Sequence, residues 1–104
     1  MSQVITNTNI NDILAGDKPV MIDFWASWCG PCRMLAPTVE AVESEYEGRV
    51  VVAKCNVDDA DEVAMQFRIR NIPTLLFFKG GEMVNRLVGA VPKQDITAIL
   101  DSLL

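Results

Sequence analysis

An α/β fold of five strand-like and four helical segments, with both parallel and antiparallel neighbours, follows from three observations. The segments spanning residues 20–57 read strand, helix, strand, and such a unit favours parallel strands joined by a right-handed crossover. Gly80-Gly81 separates two further strand-like runs, and a two-residue turn of this composition joins antiparallel neighbours. A hydrophobic content of 50% over 104 residues suffices for one core without disulfide staples, so a single domain spanning 1–104 is expected.

Taken in order, a short start at Val4-Ile5 precedes Asn7-Thr8-Asn9, whose side chains suit helix capping. Ile10, Ile13 and Leu14 follow at helical spacing and Gly16 ends that short helix. Val20 to Ala26 is an almost continuous apolar run, the pattern of a strand buried on both faces, with Asp23 as its one anomaly. Leu35, Val39, Val42 and Tyr46 recur at steps of 4, 3 and 4 with acids between them, which predicts a long amphipathic helix stopped by Gly48 and kinked at Pro37. Val50 to Val57 is the next strand. Asp58-Asp59-Ala60-Asp61-Glu62 places acid at the start of a helix that turns Val63, Ala64 and Phe67 inward. Asn71-Ile72-Pro73 breaks the chain before a strand at Thr74 to Phe78, and Met83 to Val88 forms the fifth. Pro92 opens a last helix facing inward through Ile96, Ile99, Leu100 and Leu103.

The net charge of −5, with basic residues scattered singly apart from Arg68 and Arg70, argues against a nucleic-acid partner, because binding phosphates needs clustered cations. No apolar run approaches the roughly 18 residues of a membrane helix. Met1 to Thr6 lacks the basic start and apolar core of a signal peptide, so a cytoplasmic address is expected unless the chain is a processed mature form. In a reducing compartment, a Cys-x-x-Cys pair close to a βαβ unit reads as a redox motif.

That pair is Cys29 and Cys32, within Trp28-Cys29-Gly30-Pro31-Cys32. With Cys32 in the first turn of the long helix, Cys29 stands at its N-terminus, where free N–H groups and the positive end of the helix dipole stabilise a thiolate. Cys29 is therefore the expected nucleophile and Cys32 the less exposed, more protonated partner. Pro31 fits a first helical turn and Gly30 lets the backbone bend closely around the sulfurs. A structural zinc or iron–sulfur site would need about four Cys or His ligands, whereas the chain holds no histidine and one other cysteine, leaving only a cluster shared between two chains. Haem attachment would want histidine where Arg33 stands.

Asp23 is either an exposed acid on an edge strand or a buried carboxyl with a raised pKa. In the second case it shares a strand face with Met21 and Trp25, close to the cysteine loop, and is the best available proton carrier in a chain without histidine. Lys54 either pairs with Asp23 or extends to solvent. Cys55, on the opposite face from Lys54, reads as a small buried hydrophobe, and Trp25 as packing beneath the loop. Trp28, beside the nucleophile, reads as a partly exposed group that excludes water or meets a partner.

Asp23-Phe24-Trp25-Ala26, Trp28-Cys29-Gly30-Pro31-Cys32, Pro37, Lys54, Ile72-Pro73-Thr74 and Val88-Gly89-Ala90, in this order and spacing, resemble the thioredoxin family over the full length of the chain. The resemblance implies the thioredoxin fold, a central mixed five-stranded sheet flanked by four helices, and a cis peptide before Pro73. It also implies a substrate groove lined by Trp28, Gly30, Pro31, Ile72, Pro73, Gly89 and Ala90. Gly30-Pro31 between the cysteines is typical of the reducing branch, while isomerases and periplasmic oxidases usually carry histidine there. The resemblance further implies disulfide-bearing client proteins, no bound cofactor, and a separate thioredoxin reductase, NADPH-dependent in most such systems. A monomer is the default. A thioredoxin-fold binding module, an isomerase and an oxidase are the alternatives. Ser27, Cys55 and Pro92 depart from common family residues without touching the chemistry.

Overall fold

The structure, a computed structural model, describes residues 2–104. Its elements in chain order are β1 (Gln3–Val4), α1 (Ile10–Leu14), β2 (Val20–Trp25), α2 (Gly30–Glu45), β3 (Val51–Asn56), α3 (Asp61–Gln66), β4 (Thr74–Lys79), β5 (Glu82–Val88) and α4 (Lys93–Leu103). The strands form one sheet in the order β1-β3-β2-β4-β5. β3 runs parallel to both β1 and β2, while β4 is antiparallel to β2 and to β5. This is the mixed sheet expected from the strand–helix–strand unit and the glycine turn. Gly80 and Gly81 take φ of 61° and 80°, the left-handed geometry that a tight hairpin between twisted strands requires.

β2 lies at the centre with neighbours on both sides, which explains its unbroken apolar run. Its two faces feed separate cores. Ile22 and Phe24 pack with Ala53, Cys55, Leu76 and Phe78 under α1 and α3, whose Ile10 and Val63 are buried there. Met21 packs with Val52, Leu75 and Phe77 under α2 and α4, through Leu35, Val39, Val42, Tyr46, Ile96 and Leu100. Each large apolar side chain so buried contributes about 1.5–3 kcal/mol. The Tyr46 hydroxyl donates to Asp101 Oδ1 at 2.6 Å and Lys93 pairs with Glu45 at 2.6 Å, joining the C-terminal part of α2 to α4.

Pro37 lies inside α2, which runs from Gly30 to Glu45, as its spacing predicts. Other local expectations are revised. Pro92 stands one residue outside α4 as its N-cap, with extended backbone. Asn7 and Asn9 do not cap α1 through their side chains. Asn9 instead receives the Thr6 N–H at 2.8 Å and donates to the Val4 carbonyl at 2.8 Å, closing the turn after β1. Asn7 Oδ1 accepts the Glu62 and Val63 N–H groups at 3.1 and 3.4 Å. It therefore satisfies the free donors of α3, a helix distant in sequence, because α1 and α3 cover the same face of the sheet.

Candidate active site

The carboxyl ends of β2 and β3 lie side by side, since parallel pairing sets Trp25 opposite Asn56. At this edge the chain leaves β2, passes Ala26 to Trp28 and enters α2 with Cys29 as the N-cap. The Cys32 N–H, a free donor of the first turn, points at Cys29 Sγ at 3.2 Å, and the two cysteines are joined as a disulfide with Cα atoms 5.2 Å apart. Both sulfurs belong to a small cluster with Ala26, against which Trp25, Val57 and Ile72 pack. Cys29 Sγ also lies 3.7 Å from the Ile72 carbonyl oxygen. The loop before β4 thus roofs the sulfur that the start of α2 presents.

Pro31 occupies the first turn as expected. Gly30 is the first helical residue, and a side-chain carbon there would meet only Arg33 Nη2, at 3.9 Å. The space around Gly30 does not itself require a glycine. Arg33 reaches back so that its Nη1 donates to the Ser27 carbonyl at 2.8 Å, bracing the turn between strand and helix.

The Ile72–Pro73 peptide is cis, as the family resemblance implies. Gly89, with φ of 94°, donates its N–H to the Pro73 carbonyl at 2.8 Å, so the segment after β5 stands beside the cis-proline loop. Ile72, Pro73, Gly89 and Ala90 are in this way brought to one edge, facing the cysteine loop across the contact made by Ile72.

Asp23 is 2% exposed, which removes the edge-strand alternative. It shares the α2-facing side of β2 with Met21 and Trp25. Its Oδ1 accepts no hydrogen bond among the described residues, and the buried Trp25 Nε1 two positions on likewise has no partner there. Burial pushes the Asp23 carboxyl up to about 6, opposed by the charge of Lys54. Lys54 is the residue directly opposite Asp23 in the β2–β3 register, and its Nζ lies 6.0 Å from the centre of the Trp25 ring. The lysine therefore acts on Asp23 through space while its own head rests near the indole.

Trp28 is 67% exposed, and its Nε1 donates to Asp58 Oδ2 at 2.9 Å. Asp58, in turn, donates its N–H to Asn56 Oδ1 at 2.9 Å. Sequence reasoning treats Asp58 only as an acid near a helix start and so misses its hold on the indole. The available signal is topological: the residue after β3 must emerge beside the residue after β2 when the two strands are parallel. Cys55 is a free thiol buried in the other core, and burial, aided by the charge of Asp23, pushes it up to about 12. Among the described residues no group of three or more His, Cys, Asp or Glu is placed to hold a metal ion. None of the described helices is long and apolar enough to cross a membrane.

A disulfide-forming cysteine pair at the first turn of a helix, roofed by a cis-proline loop on a mixed sheet, defines a thiol–disulfide exchange protein. The comparisons agree. Residues 1–102 match the family model described as Thioredoxin. Thioredoxin 1 of Nostoc sp. is 49% identical over 100 residues, covering 96% of this chain and 94% of that protein. The chloroplastic M-type thioredoxin of Spinacia oleracea is 47% identical over 92 residues, covering 88% of this chain and 51% of that one. The solved thioredoxin of Malassezia sympodialis superposes with a TM-score of 0.89 at 35% identity, covering 99% of this chain and 90% of that chain. The chain belongs to the thioredoxin family, and its activity is that of a thiol–disulfide oxidoreductase acting on disulfide-containing proteins.

Proposed function

We propose that the chain, as one domain over 1–104, is a protein-disulfide reductase in which Cys29 attacks and Cys32 resolves. The carrying observation is the Cys32 N–H aimed at Cys29 Sγ from the first turn of α2, a donor that favours negative charge on that sulfur. In the reduced protein the Cys29 thiolate attacks one sulfur of a client disulfide, forming a mixed disulfide and expelling the other client sulfur as a thiolate. The Cys32 thiol, losing its proton to Asp23 through water, then attacks Cys29. The second client sulfur leaves and takes up a proton, so two electrons pass to the client and the Cys29–Cys32 disulfide remains. A carboxyl raised to about 6 suits this exchange near neutral pH, and Lys54 keeps it from rising further.

The client strand lies in the groove formed by Trp28, Gly30 and Pro31 on one side and Ile72, Pro73, Gly89 and Ala90 on the other. The chain acts as a monomer, holds no cofactor of its own, and is returned to the dithiol by a separate thioredoxin reductase drawing on NADPH. A reducing compartment, the cytoplasm, suits a cycle that must begin from the dithiol.

The test is single-turnover reduction of a protein disulfide by pre-reduced chain. Cys29→Ser should remove the reaction by at least about three orders of magnitude, since its alcohol cannot act as the thiolate nucleophile. Cys32→Ser should stop at the mixed disulfide, visible as a covalent adduct. Undiminished turnover in Cys29→Ser, or client release at the normal rate from Cys32→Ser, would overturn the assignment. Client binding and cellular function that survive loss of both cysteines would make the chain a binding module.

A further inference from the structure

Charge is distributed unevenly around the groove. From Val63 to Gln94 the basic side chains are Arg68, Arg70, Lys79, Arg86 and Lys93 against a single acid, Glu82, although the whole chain carries −5. Folding draws three of these cations together at the α3–β4 connection. Arg86 Nη2, on β5, donates to the Phe67 carbonyl at 3.0 Å and so comes beside Arg68, with Arg70 two residues further on. All three side chains are exposed. Arg70 in turn stands two residues before Ile72, whose carbonyl lies 3.7 Å from Cys29 Sγ. The Trp28 wall has the opposite sign, with Asp58 fixed on the indole and Asp59, Asp61 and Glu62 exposed after it. Arg33 is exposed on α2, its guanidinium tied to the Ser27 carbonyl.

Arg68 sharpens the point. It ends α3 with φ of 54°, its N–H reaching the Met65 carbonyl at 3.0 Å while Ile69 N–H reaches Ala64 at 2.9 Å. This is the Schellman arrangement, whose left-handed residue is usually glycine because a side chain there is strained. A cation thus sits where the backbone alone favours glycine. A chain docked along Ile72 and Pro73 passes within about one Debye length, roughly 8 Å at physiological salt, of Arg70, which stands two residues before Ile72.

We propose that Arg68, Arg70 and Arg86 select clients, favouring polypeptides with Asp or Glu beside the reducible disulfide on the side that docks against Ile72 and Pro73. The inference rests on the groove reading above. Opposed walls orient such a segment, because the reverse placement sets its acids against Asp58, fixed on the Trp28 indole. Arginines at an open rim act chiefly on encounter, so selection falls on the rate of mixed-disulfide formation.

The experiment measures that rate for pre-reduced chain with three cystine peptides of matched length, bearing flanking Glu, Gln or Lys. The Glu peptide should react about tenfold faster than the Gln peptide at low salt and the Lys peptide slower, with the differences collapsing near about 0.5 M salt. The Glu-to-Gln ratio should fall to near one in Arg68→Gly/Arg70→Gln. It should persist in Lys79→Gln, which removes a cation at the other end of β4. Arg68→Gly alone should raise Tm while lowering the ratio, so the loss cannot come from weaker folding. A ratio near one in the parent chain, or one unmoved by the double substitution, overturns the proposal. Failure to react with even the Gln peptide overturns the groove reading and the proposal with it.

Discussion

Cys29 and Cys55 are buried to nearly the same degree, 5% and 0% exposed, yet the fold gives them opposite chemistry. Cys55 lies within β3, opposite Phe24, in a core whose other side chains are apolar, and the nearby charge of Asp23 adds to the cost of ionising it. Cys29 stands where a strand ends and a helix begins, and the Cys32 N–H of the first turn points at its sulfur. Burial and the charge of Asp23 hold Cys55 as a thiol. The reactivity proposed for Cys29 rests instead on the N–H that the start of α2 aims at its sulfur.

Asp23→Asn makes the largest test of this contrast within the site. Losing the proton carrier should slow resolution of the mixed disulfide roughly 10- to 100-fold near pH 7, measured by release of client from the adduct, while its formation changes little. An unchanged resolution rate would leave Asp23 a buried curiosity. The same variant reads the buried charge through stability. A carboxyl raised from its ordinary 3.8 to about 6 binds its proton more tightly when folded. Its favourable contribution is complete below the unfolded value and is lost as pH rises through about 6. The stability gained in Asp23→Asn, relative to the parent, should therefore grow by about 3 kcal/mol between pH values below 4 and above 7, as read by denaturant unfolding.

Asp58→Ala removes the carboxylate that holds Trp28, and the freed indole should cost a few-fold in the rate of attack on a protein disulfide, with stability altered by about 1 kcal/mol. Equal rates would mean that the exposed indole needs no fixing. The smallest effect is expected at the other thiol. Cys55→Ala should leave the exchange rate at the parental value and cost about 1–2 kcal/mol through the lost packing of its sulfur. A changed exchange rate would give Cys55 a part in the chemistry and break the contrast.

Much of this was legible in the residues themselves. The continuous run from Val20 identifies a central strand because burial on both faces removes the need for alternation, and the same reasoning makes Asp23 conspicuous. Leu35, Val39, Val42 and Tyr46 mark the inner face of α2, and all four are buried. What was not legible depends on pairs distant along the chain. Asn7 on α3, Asp58 on Trp28 and Arg86 on Phe67 have no local pattern, since each contact exists only once the sheet has set its strand order. Gly30 is picked out by a local rule, while the space around it does not itself require a glycine.

The division of the site between Cys29 on α2 and Ile72 before β4 bears on how the chain is made. The first three strands and α2 are complete before Ile72 leaves the ribosome, so the dithiol emerges without its roof. Until β4 docks against β2, the central strand is itself an open edge. A nascent chain therefore presents both cysteines before Ile72 can cover Cys29, and the docking of the β4–β5 hairpin closes the sheet edge and that opening at once.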